Sequence, residues 1–157
     1  MSTEENVYDV YWEGPFNYDD LRETESHEDL VLYAIYGTHP LYGRNVLLYI
    51  GITENLVTTR LSQHSWWIDG EPDPCGVYMA SIGKFESWAK SQEFERYPKM
   101  DPATTRIIES LLIYSHQPIY NQRNKNSASL AKNYRAFNTG RRGMLLGEVS
   151  GLYYLGD

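Results

Sequence analysis

The run from Asp101 to Pro118, DPATTRIIESLLIYSHQP, restricts what this chain can fold into more than any other stretch. Asp101 and Pro102 make a good N-cap and first-turn pair, and Pro118 forbids continuation, so a helix is predicted between them. From Ile107 to Tyr114 the sequence is apolar nearly all round, which requires the rest of the fold to cover the helix on several sides. Glu109 interrupts that surface. An ionised carboxylate there is costly unless it pairs with a cation, such as Arg106 three residues earlier, or sits at the mouth of a cleft.

Two apolar runs, LVLYAIYG and VLLYIGI, flank THPLYGRN, whose Pro40 and Gly43 are turn formers. They read as an antiparallel hairpin. Alternation puts Leu32, Ala34 and Tyr36 on one face of the first strand and Leu47, Tyr49 and Gly51 on one face of the second, so Tyr36 and Tyr49 can share a face while the register stays open. Thr53 is a possible N-cap for a helix over about residues 54–66, carrying a stripe of Leu56, Val57 and Leu61 with Arg60 and His64 four residues apart on one side. A loop over DGEPDPCG leads to a third strand, VYMASIG. A short amphipathic helix is then expected to end at Pro98. Beyond the main helix come a turn at QPIYNQRN, a basic stretch and a glycine-rich segment with the pattern of an extra hairpin.

The net charge of −7 speaks against a nucleic-acid partner until its distribution is examined. Residues 1–30 hold ten acids against one base, Arg22, whereas residues 31–157 hold thirteen bases against eleven acids. Residues 121–142 carry Arg123, Lys125, Lys132, Arg135, Arg141 and Arg142 with no acid. These six are the candidates for phosphate contact, with a solvated surface as the alternative. Length supports one domain, divided here into an acidic, partly packed arm (1–30), a central unit (31–126) and a basic, then glycine-rich extension packed on it (127–157). The arm is either a solubility segment or a cover for a basic surface. No run is long enough to span a membrane, and the first residues lack the blocks of a signal peptide, so a cytoplasmic protein is expected. The lone Cys75 and the scattered histidines exclude an internal disulfide and a zinc-site pattern.

Two strand tyrosines, Arg60 with His64, a carboxylate in a buried helix and Asn121 together resemble the GIY-YIG nuclease superfamily over about residues 31–122. Ala34-Ile35-Tyr36 stands for its first motif, with alanine in place of glycine, and Tyr49-Ile50-Gly51 matches the second letter for letter. The resemblance implies an α+β fold with a small central antiparallel sheet of about three strands flanked by helices. It also implies a DNA endonuclease whose catalytic set is Tyr36, Tyr49, Arg60, His64, Glu109 and Asn121. Glu109 would hold one Mg²⁺ or Mn²⁺ per active site.

The residue types suit that chemistry. Arginine offers phosphate a planar, permanently charged fork, and Mg²⁺ is commonly held by only one or two carboxylates. An unperturbed tyrosine, with a pKa of about 10, is phenolate in roughly one molecule per thousand at pH 7, so a tyrosine base needs help from His64 or a cation. Asn121 would organise the site from behind. No separate DNA-reading module is apparent, so DNA would be read through loops 38–45 and 69–75, through dimerisation or through a protein partner. The competing readings are a catalytically silent module of the same fold that binds nucleic acid or protein, and a generic α+β domain whose tyrosines are core packing.

Overall fold

A computed structural model of the chain describes residues 4–17, 31–53, 75–91, 97–98, 100–126 and 128–155. Alternation hidden beneath the N-terminal acids organises its centre. Val10 and Trp12, both fully buried, point to one side of strand β1 (Asn6–Asn17) together with Tyr8. Burying each large apolar side chain of this kind stabilises the fold by about 1.5–3 kcal/mol, enough to hold a segment whose charge count reads as a solvated arm.

The other strands are β2 (Val31–His39), β3 (Gly43–Thr53), β4 (Gly76–Lys84), β5 (Tyr134–Gly140) and β6 (Glu148–Ser150). They form one six-stranded sheet in the order β3-β2-β4-β1-β5-β6, antiparallel except where β1 runs parallel to β5. This corrects the expected small sheet of about three antiparallel strands flanked by helices. The anticipated unit, β3-β2-β4, is only the outer half of a mixed sheet. The N-terminal segment adds β1 because Tyr8, Val10 and Trp12 recur at a strand's period of two. The C-terminal segment adds β5 through Tyr134, Ala136 and Asn138 at the same spacing, and β6 closes a hairpin onto it.

Helix α1 covers Trp88–Ser91 of the described residues, α2 (Pro102–His116) is the main helix, and α3 (Gly151–Leu155) follows β6 directly. The Asp101 carboxylate accepts from the Thr104 amide at 2.9 Å, which caps α2 and holds that carboxyl below its usual range. Gln117 ends the helix in the left-handed region at φ 50°, its amide bonded to Ile113 O at 2.8 Å. The sheet curls round α2, so that β3 at one end and β5–β6 at the other both touch it. That wrapping meets the demand of a helix apolar nearly all round: Ile108, Leu111, Leu112 and Ile113 pack with Leu32, Ala34, Ile50, Ala136 and Val149. A smaller cluster of Tyr33, Ile35, Leu48, Cys75 and Val77 lies on the opposite face. Among the described residues no helix is long and apolar enough to cross a membrane.

Candidate functional site

The β2–β3 register decides which tyrosines can act together. Tyr33 pairs with Gly51 and Ile35 with Tyr49; a bulge then shifts the ladder so that Tyr36 pairs with Leu47. Since neighbours along a strand point to opposite faces, Tyr36 and Tyr49 are on opposite sides of the sheet. This overturns their expected shared face. Tyr36 belongs to the cluster around α2, and Tyr49 packs on the other.

Tyr36 is 2% exposed, and its Oη makes no hydrogen bond among the described residues. It lies beneath the loop joining β5 to β6, where a Cβ on Gly143 would come within 3.1 Å of that oxygen. Burial pushes its pKa up to about 12; the nearby Met144 amide opposes the rise without completing a hydrogen bond, and Tyr78 adds to it. A hydroxyl so placed rarely ionises, so the phenolate that a general base requires is scarcely populated near pH 7.

The aromatic partner of Tyr49 is Tyr33, which the motif reading passed over. Their rings stack with centroids 6.0 Å apart and planes 28° apart. Both close over Gly51, where a Cβ would stand 2.6 Å from Tyr49 Cε1 and 2.7 Å from Tyr33 Oη. The glycine of the YIG motif is therefore required by close approach of two rings. Tyr33 is fully buried, whereas Tyr49 is half-buried and the more accessible residue of the two.

Asn121 binds the backbone of the motif itself. Its Oδ1 accepts from Ile50 N at 2.9 Å, and its Nδ2 donates to Ile50 O at 2.8 Å, so the buried side-chain amide pairs with β3 as a further strand would. Ile119 and Tyr120 extend the pairing through their amides to Leu47 O and Leu48 O. Residues 119–121 thus cover the free edge of β3 as far as Ile50 and fix the peptide beside Tyr49.

Glu109 is half-buried on α2, a turn from Thr105 and from Ile113. α2 packs on the Ile50 face of the sheet, so the helix that carries Glu109 lies on the side opposite the Tyr49 ring. A ligand reaching both must pass the β3 edge, which residues 119–121 cover only from Leu47 to Ile50. Among the described residues no three His, Cys, Asp or Glu side chains gather in a metal-binding group. A single hard carboxylate fits Mg²⁺, which draws its other ligands from water and phosphate, and does not fit a closed zinc or calcium cage. Arg60 and His64, with the helix expected over 54–66 and the loop over 69–74, lie outside the described residues.

The six basic candidates divide. Arg135 forms a bidentate pair with Glu5 and a further bond to Glu148, each at 2.8–2.9 Å, and Glu5 beside it raises its pKa. Its charge is already met, which removes it from the phosphate-binding candidates. Lys125 Nζ lies 3.4 Å from Ile119 O. Arg123, Lys132, Arg141 and Arg142 are exposed, the last donating through Nε to Leu145 O at 2.9 Å.

The loop over Tyr36 is pinned by His116. Its Nδ1 stands 2.9 Å from Leu112 O, a contact that requires the Nδ1–H tautomer, and Nε2 accepts from Leu146 N at 2.9 Å. Burial lowers the pKa of this imidazole, against the opposing bond to Leu112 O. The unfolded chain therefore binds more protons below about pH 6.5, the ordinary histidine value, and stability from this group is present above that pH and lost as pH falls through the window below it. Urea unfolding at pH 7.5, 6.5 and 5.5 is expected to show that decline, and His116→Gln is expected to flatten it.

Comparison with known protein families, curated proteins and solved structures finds no match for this chain.

Proposed function

We propose that the chain is a metal-dependent DNA endonuclease of the GIY-YIG type, with Tyr49 as the tyrosine that handles the proton. The observation that carries this reading is the Asn121 clamp on Ile50, which holds the backbone of the YIG sequence while Tyr33 and Tyr49 close over its glycine.

In this reading the half-buried Tyr49 hydroxyl orients the attacking water, and Tyr33 supports its ring from behind. Arg60 neutralises the phosphate, and His64 receives the proton from the tyrosine. Glu109 is the residue that would hold Mg²⁺ or Mn²⁺; the bound metal supplies Lewis-acid stabilisation of negative charge. Tyr36 has no part in the chemistry.

Incubation with plasmid, linear and branched DNA plus Mg²⁺ or Mn²⁺ tests the proposal. Cleavage is expected to fall on the order of 100-fold or more in Tyr49→Phe and Glu109→Gln, and to stay within about twofold in Tyr36→Phe, which removes a hydroxyl that makes no hydrogen bond among the described residues and should cost little stability. Loss of cleavage in Tyr36→Phe with Tyr49→Phe unaffected would reverse the assignment. A second reading, a nucleic-acid-binding module without catalysis, draws support from the placement of α2, which carries Glu109, and of the Tyr49 ring on opposite faces of the sheet. It predicts binding with no cleavage of any of the three DNAs.

A further inference from the structure

The tip of the β2–β3 hairpin is built as an exposed aromatic step. Leu41 and Tyr42 are 77% and 65% exposed. Neither is loosely held, because His39 Nδ1 accepts from the Leu41 amide at 3.1 Å and the Tyr42 amide at 3.3 Å, tying the turn to the end of β2. The His39 ring lies between two others, its centroid 5.0 Å from Tyr42 and 6.2 Å from Tyr120. Tyr120 is in turn anchored to β3 through its amide. Three rings thus run from the β3 edge, next to the Asn121 clamp, out to solvent.

The described segments that build this step carry charge of one sign. Val31–Thr53 contains no acid and carries the exposed Arg44 beside Tyr42, and Ser110–Gly147 contains no acid and carries the exposed Arg123 just beyond Tyr120. An exposed, rigid aromatic face flanked by permanent cations is the chemistry that binds single-stranded nucleic acid: rings stack on bases while guanidinium groups meet phosphates. A fully paired duplex offers no free base face to such a step.

We propose that the hairpin tip is a stacking platform for an unpaired nucleobase, with Tyr42 as the stacking ring, Leu41 as the wedge beside it and Arg44 on the flanking phosphate. The inference rests on the nucleic-acid reading above and names the substrate form, DNA with unpaired bases. It does not depend on cleavage.

The test is equilibrium binding in EDTA, with the full chain and three fluorescent DNAs: an oligo-dT strand, a closed fully paired hairpin, and the same hairpin with a bulge containing 2-aminopurine. Wild type is expected to prefer the strand and the bulge over the paired hairpin and to change 2-aminopurine emission. Tyr42→Ala is expected to lose about ten- to a hundredfold in affinity for the strand and bulge only, with Tyr42→Phe retaining it. Arg44→Ala is expected to weaken all three and flatten the salt dependence. Equal binding of the strand by Tyr42→Ala and wild type overturns the proposal, as does a preference for the paired hairpin or an absence of binding to all three. Tyr42-dependent binding without cleavage in Mg²⁺ would leave this proposal standing and sink the nuclease reading. Cleavage with binding indifferent to Tyr42 would do the reverse.

Discussion

Asn121→Ala is expected to lower stability by about 2–4 kcal/mol, a fall in Tm of roughly 5–15 °C, and to abolish whatever activity depends on Tyr49. The two bonds from this side chain satisfy both polar groups of one residue, Ile50, whose own side chain is fully buried. Truncation leaves an N–H and a C=O without the partners that the β3 edge was given, and an unsatisfied buried group costs about 1–3 kcal/mol. Asn121→Asp separates geometry from chemistry. It keeps the shape and the acceptor for Ile50 N, but puts a carboxylate oxygen against Ile50 O. That variant is expected to be destabilised at pH 7 and to recover in part as pH falls and the carboxyl protonates. Thermal unfolding of the three proteins at pH 7.5 and 5 decides this. A Tm for Asn121→Ala within about 2 °C of wild type would show that residues 119–120 hold the edge unaided.

Local signals carried much of this structure. Asp101, Pro102 and Pro118 bracket α2 in the sequence as they do in the fold, and its all-round apolar surface foretells burial on several sides. The hairpin is legible in the same way, from two apolar runs about a turn. Its register is not, because moving the pairing by one residue turns every side chain over, and the sequence carries no marker of the bulge at Leu48. One signal for the parity was present. A glycine within a strand marks close approach, and setting an aromatic opposite Gly51 selects Tyr33, whose face is that of Tyr49. The size of the sheet is hidden for another reason: the acids of residues 1–30 mask the alternation at Tyr8, Val10 and Trp12, and long-range pairing of β1 with both β4 and β5 has no local signature.

The second large effect is expected at Asn138, a residue that carries no motif and sits among the basic side chains of residues 121–142. Asn138→Ala is expected to cost about 3–4 kcal/mol, comparable with loss of a large core side chain. Its Oδ1 accepts from Trp12 Nε1 at 2.9 Å, its Nδ2 donates to Leu146 O at 2.8 Å, and its backbone amide bonds to Gly147 O at 3.0 Å. One side chain thereby joins β1, β5 and the loop that covers Tyr36. Trp12 is fully buried, so its indole N–H has no water to turn to once the acceptor is gone. Leucine at 138 would fill the volume but leave the same donor orphaned, so Asn138→Leu is expected to remain well below wild type, whereas Asn138→Leu combined with Trp12→Phe removes both polar partners and should recover part of the loss. The double-mutant cycle in urea is the measurement. Independent costs for the two substitutions would show that the indole bond contributes nothing. The loop supplies a second readout: Asn138→Ala cuts the Leu146 O anchor while the Leu146 amide keeps its bond to His116 Nε2, so the variant should show the wild-type decline at low pH, displaced to lower stability at every pH.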